Sequence, residues 1–87
     1  MHHVYILHSA SLNKFYIGTS ADVEMRLFQH NTLAQGFTQS GRPWKIVYVE
    51  DFQTKTEALN REKYLKRMKS HRFIEELVHA KPHHRDD

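Results

Sequence analysis

Val4-Tyr5-Ile6-Leu7 and Phe15-Tyr16-Ile17-Gly18 decide how this chain folds. Both runs are rich in β-branched and aromatic residues, and the turn-prone segment Ser9 to Lys14 separates them. They read as an antiparallel hairpin with a six-residue loop, with Gly18 ending the second strand. Side chains alternate across a strand, so Val4 and Ile6 face one way and Tyr5 the other. Tyr16 likewise points away from Phe15 and Ile17. Each strand therefore carries one tyrosine out of phase with its apolar neighbours.

Beyond the hairpin, Asp22 to Asn31 reads as a helix. Ser20 or Asp22 can cap it, and Val23, Leu27 and Phe28 supply its apolar stripe. Arg26 and His30 stand one turn apart on a shared face. Thr32 to Pro43 mixes Gly, Ser, Thr, Gln and Asn and reads as a loop that covers something. Trp44 to Glu50 follows as a third strand, with Ile46 and Tyr48 on one face and Val47 and Val49 on the other. Thr54-x-x-Glu57 forms a capping box that opens a helix running to Met68. Ser70 caps a last helix with Phe73, Ile74, Leu77 and Val78 as its stripe, and Pro82 stops it. The order β-β-α-β-α-α predicts an α/β (α+β) fold, a three-stranded antiparallel sheet flanked by three helices. One domain is expected over residues 1–80, with a disordered tail over 81–87.

The 87 residues allow a single core. Hydrophobic residues at 39%, charged residues at 26% and aromatics at 11% argue against disorder and low complexity. No apolar run approaches the roughly 20 residues of a membrane helix, and no Sec-type leader pattern opens the chain. Cysteine is absent, which excludes a disulfide framework, a thiolate metal site and a cysteine nucleophile. A cytoplasmic location is expected. The net charge is +3 with eight histidines, so a polyanionic partner is compatible with the composition.

Glu62 is the most informative single residue. Ala58, Glu62 and Leu65 share one helix stripe, which aims a carboxylate toward the core, where an unpaired charge costs several kcal/mol. It is either a structural ion-pair partner of Arg26 or a nearby lysine, or a metal ligand facing a cleft. Further along, Arg61, Lys63, Lys66, Arg67, Lys69 and Arg72 place six cations against Glu62 alone within twelve residues. That run is either a solvated helix face or a surface that tracks phosphates without reading sequence. The paired histidines His2-His3 and His83-His84 lie at expected frayed ends and do not suggest a transition-metal store.

Taken together, Val4-Tyr5-Ile6, Tyr16-Ile17-Gly18, the helix bearing Arg26 and His30, Gly41-Arg42-Pro43 before the third strand and the Glu62 helix resemble the GIY-YIG nuclease domain. The likeness spans roughly residues 3 to 78 and is closest to the small stand-alone bacterial branch, related to the N-terminal nuclease domain of UvrC-type excision nucleases. The first motif lacks the glycine of the literal pattern, and Thr19 stands where some members carry a lysine. An appended DNA-binding domain is not expected. The resemblance implies metal-dependent hydrolysis of phosphodiester bonds in DNA, or in RNA, within DNA repair. It implies Glu62 as ligand of Mg²⁺ or Mn²⁺, Arg26 on the scissile phosphate, and one tyrosine of the pair as general base: Tyr16, with Tyr5 positioning the water or supporting the phosphate, or the reverse. His30 shares the base's role or orients Tyr16. Tyrosine ionises near pH 10, so either phenol needs positive charge beside it to act at neutral pH. The alternatives are a nucleic-acid-binding module of weak turnover, or a nuclease subunit whose partner protein supplies DNA affinity.

Overall fold

The computed structural model describes residues 1–32 and 40–80. Three strands, β1 (His2–Ser9), β2 (Lys14–Ser20) and β3 (Trp44–Phe52), and three helices, α1 (Val23–Thr32), α2 (Lys55–Met68) and α3 (His71–Ala80), follow in the order β1-β2-α1-β3-α2-α3. The sheet is antiparallel in the order β2-β1-β3, so β1 is central. This is the expected α+β architecture. The tail at 81–87 and the middle of the covering loop, 33–39, lie outside the described residues.

A central strand with helices over both faces must be apolar on both, and Val4, Tyr5, Ile6 and Leu7 are all fully buried. On one face Val4 and Ile6 pack with Tyr48, Ala58, Leu65 and Ile74, so α2 and α3 cover this side. On the other, Tyr5 and Leu7 pack with Val23 and Trp44, with Tyr16, Leu27, Ile46 and Val49 around them, under α1. Each large side chain so buried contributes about 1.5–3 kcal/mol.

Local chemistry sets the ends of the helices. The Asp22 carboxylate accepts from the Met25 backbone N–H at 3.0 Å and so caps α1. Thr54 and Glu57 close the capping box at the start of α2. Lys69 then takes a left-handed conformation (φ 48°), turning the chain so that Ser70 can cap α3 through the Phe73 N–H at 3.1 Å. No described helix is long and apolar enough to cross a membrane.

Four expectations need correction. His2 and His3 do not fray: both belong to β1, paired with Phe52 and Asp51 of β3. Gly18 does not end β2: it sits inside the strand, paired with Tyr5. Phe28 is not part of the apolar stripe of α1 but 61% exposed, because the helix turns only Val23 and Leu27 inward. In β3 the expected alternation fails. Ile6 pairs with Tyr48 but Leu7 pairs with Ile46, so Val47 is the extra residue of a β-bulge. Val47 therefore joins Tyr48 on the α2–α3 side, while Ile46 and Val49 share the α1 side.

Candidate active site

The two out-of-phase tyrosines meet on the α1 face. Tyr5 from the central strand and Tyr16 from the edge strand stack with ring centroids 6.3 Å apart. Tyr5 can lie flat toward the edge because its partner across the ladder is Gly18. A β-carbon at position 18 would fall 2.5 Å from the Tyr5 hydroxyl oxygen and 2.7 Å from its Cζ. Tyr5 is completely buried, whereas Tyr16 is half-buried and opens outward.

Helix α1 brings the other two groups. The Arg26 guanidinium lies against the Tyr5 hydroxyl and beside that of Tyr16. One turn on, His30 Nε2 is 3.4 Å from the Tyr5 hydroxyl, and the His30 ring sits edge-on to Tyr16 at 4.4 Å. Burial pushes the Tyr5 phenol above the usual tyrosine range, Arg26 pulls it back, and the charges of Tyr16 and Glu62 push it further up. His30 moves the other way: burial, and then the Arg26 charge, hold its imidazole below the ordinary histidine range. It is therefore a neutral ring at pH 7.

The end of α1 is locked in place. The Asn31 side chain accepts from the Trp44 N–H at 2.6 Å and donates to the Trp44 carbonyl at 3.0 Å. Arg42 Nε donates to the His30 carbonyl at 2.9 Å, and the Arg42–Pro43 peptide is cis. Trp44 packs its indole against Gly41 and stands edge-on to Tyr16 at 6.4 Å. Sequence reasoning missed Asn31 and Trp44. The only hint was the Gly41-Arg42-Pro43 turn, which leads into Trp44.

Glu62 approaches from the opposite layer. Its helix neighbours Ala58 and Leu65 belong to the Val4–Ile6 side of the sheet, so the body of α2 lies in that layer. Its side chain is 16% exposed, and Lys66 Nζ lies 2.7 Å from its Oε2. Its charge nevertheless reaches the Tyr5 phenol. The layers meet at the free edge of β2: Tyr16 and Lys66 line one cleft there.

A family model described as the GIY-YIG catalytic domain matches residues 1–73. The chain belongs to the GIY-YIG family. A UPF0213 protein of Staphylococcus saprophyticus subsp. saprophyticus is 40% identical over 67 residues, covering 75% of this chain and 79% of that protein. A UPF0213 protein of Staphylococcus aureus (strain Mu3) is 41% identical over 80 residues, covering 86% of this chain and 95% of that protein. No solved structure matches the chain. GIY-YIG proteins are a nuclease family, which makes nucleic acid the substrate class.

In this GIY-YIG chain no group of three His, Cys, Asp or Glu side chains gathers as a metal cage among the described residues. Glu62 offers one carboxylate near the tyrosines. That donor set fits Mg²⁺ or Mn²⁺, which keep several waters and take one or two carboxylates plus substrate phosphate. It does not suit zinc, which takes three or four protein ligands.

The six cations separate into two groups. The Arg61 guanidinium is engaged by Glu50, at 2.8 Å to Oε1, and the Tyr48 hydroxyl donates to the same carboxylate at 2.7 Å. Lys66 pairs with Glu62, and Arg72 with Glu76 at 3.2 Å. Lys63, Arg67 and Lys69 are exposed. On the helical wheel Lys63 and Arg67 fall on the side of α2 away from the sheet, whereas Lys66 and Lys69 border β2.

Proposed function

We propose that this GIY-YIG protein is a divalent-metal-dependent endonuclease that hydrolyses phosphodiester bonds in DNA in the bacterial cytoplasm. The observation that carries the reading is one guanidinium, Arg26, set against two phenols with a neutral imidazole closing the group. A phosphodiester needs charge on its non-bridging oxygens, a base for the attacking water and help for the leaving oxygen. Arg26 has the planar fork that suits two phosphate oxygens, and it is exposed to a ligand. Tyr16 is the proposed general base: it is the half-buried one of the pair, the Arg26 guanidinium lies beside its hydroxyl, and that oxygen takes the proton from water. Tyr5 is fully buried and its phenol resists ionisation, which suits a positioning group. His30, held neutral, offers Nε2 to the Tyr5 hydroxyl and packs its ring on Tyr16, fixing both phenols.

Glu62 would hold Mg²⁺ or Mn²⁺ through a carboxylate oxygen. When bound, the cation supplies charge stabilisation to the phosphate and leaving oxygens. Lys66, its Nζ 2.7 Å from Oε2, holds that carboxylate in place. Lys63 and Arg67 add sequence-independent attraction for the backbone, and a partner protein can supply the remaining affinity.

The test is nicking of supercoiled plasmid, with and without Mg²⁺, by the wild-type protein and by Glu62→Gln and Tyr16→Phe. Each variant should lose activity by orders of magnitude, at about 1.4 kcal/mol per tenfold. Melting of Glu62→Gln should hardly change, since its partner Lys66 is an exposed i,i+4 neighbour. A Glu62→Gln protein that melts several degrees lower yet nicks normally would leave Glu62 a structural ion-pair residue and end this assignment.

A further inference from the structure

We propose that the cleft along the outer edge of β2 takes one unpaired nucleotide of the strand being cut, next to the scissile phosphate. This rests on the nuclease reading and adds to it a substrate class: nucleic acid with a single-stranded or flapped segment at the cut. The cleft lies between β2 and the corner where α2 gives way to α3, and its volume is about 450 Å³. Pockets of 300–1,000 Å³ hold small molecules, so one nucleotide fits and a paired helix does not.

Its walls match a nucleotide's two halves. Phe15, Ile17, Leu65 and Ile74 give an apolar floor for a base. Lys14, Lys66, Lys69 and His71 form the rim, and no carboxylate lines the cleft. Two rings of the lining form an aromatic patch that a base can meet: Phe15 and His71, with centroids 4.8 Å apart and planes tilted by 39°. Aromatic rings beside a positive groove are how proteins hold single strands, because every base has a face to stack.

Position ties the cleft to the chemistry. Tyr16 belongs both to the tyrosine pair and to the cleft wall, and Lys66 touches Glu62 while it lines the rim. A strand whose phosphate sits on Arg26 and Tyr16 therefore has its neighbouring nucleotide at the mouth of the cleft. A base still paired in a duplex cannot enter.

Binding without metal tests this separately from cleavage. Two fluorescent DNA duplexes of equal length are titrated in EDTA, one blunt and one with a short overhang carrying 2-aminopurine. The overhang should bind at least about tenfold tighter, as base–aromatic stacking allows, and its 2-aminopurine should be quenched. Lys69→Glu and His71→Glu, both on exposed positions, should abolish the preference and the quenching. Lys63→Glu, on the far side of α2, should weaken both duplexes alike. Equal binding of the two duplexes, or a preference untouched by Lys69→Glu and His71→Glu, would overturn the proposal. A protein that prefers the overhang yet never cleaves defeats the nuclease reading alone. One that cleaves with no preference defeats this inference alone.

Discussion

The phenol of Tyr5 lies directly across Gly18, and the two residues are paired in the β1–β2 ladder. The glycine is required there not by backbone conformation but by space. Only an absent side chain lets a buried tyrosine reach from the central strand toward the edge where Tyr16 and Arg26 wait.

Gly18→Ala should therefore be costly twice over. Overpacking of this kind loses about 1–3 kcal/mol, and in a domain this small each kcal/mol lowers the melting temperature by roughly 4–8 °C. Nicking should fall with the displaced phenol. The diagnostic is a double-mutant cycle: in a Tyr5→Ala background the stability cost of Gly18→Ala should vanish. Additive losses would show that the two residues are not in conflict.

Asn31 makes a different kind of prediction. Its one side chain serves both backbone groups of Trp44. Asn31→Ala strands a donor and an acceptor and should cost about 1–3 kcal/mol. Asn31→Asp keeps the acceptor for the Trp44 N–H and should cost less. Thermal melts of the two variants, in that order of severity, check the clamp.

His30 predicts a pH dependence. Its folded-state pKa lies below the unfolded value of about 6.5, so the unfolded chain binds the proton more tightly. The stability it contributes is present above about pH 6.5 and is lost as pH falls through the folded-state pKa. Wild-type protein should lose melting temperature faster than His30→Gln between about pH 6.5 and pH 5. Parallel profiles would mean that the ring ionises as easily folded as unfolded.

The cationic helix should divide by position. Lys63→Glu and Arg67→Glu should weaken binding to every DNA sequence alike, with log K falling by about 0.9 per decade of salt for each duplex phosphate neutralised. Arg61→Met should act on the fold instead, because it frees the Glu50 carboxylate beneath Tyr48. A loss of about 1–3 kcal/mol is expected. Salt titrations and melts on the same three proteins separate the two effects.

What was legible in the sequence was local. Strand runs, the capping box at Thr54 and Glu57, the cap at Ser70 and the i,i+4 spacing of Arg26 and His30 all arise from neighbours along the chain. The tyrosine phase followed from the two-residue strand period; that Arg26 and His30 meet Tyr5 and Tyr16 on that face comes from how α1 packs on the sheet. Glu62 was legible only as a carboxylate aimed at the core or a cleft, because a helix stripe says that a residue points at the sheet, not which side of it. Asn31 was invisible for the same reason. It looks like an ordinary helix-ending residue, and its partner Trp44 is set by the packing of α1 on β3. Gly18 read as a strand terminator because glycine so often is one. Its task depends on a ring from another strand.

The extra residue at Val47 bears on how relatives of this chain are to be aligned. In an unbroken strand, removing one residue turns every later side chain to the wrong face. Here Leu7 already pairs with Ile46 and Ile6 with Tyr48, so a chain without Val47 would keep Trp44 and Ile46 on the tyrosine side and Tyr48 on the helix side. A one-residue gap at this point is thus phase-neutral. An alignment that slides the strand to avoid such a gap would exchange the two faces and misplace the indole that stands beside Tyr16.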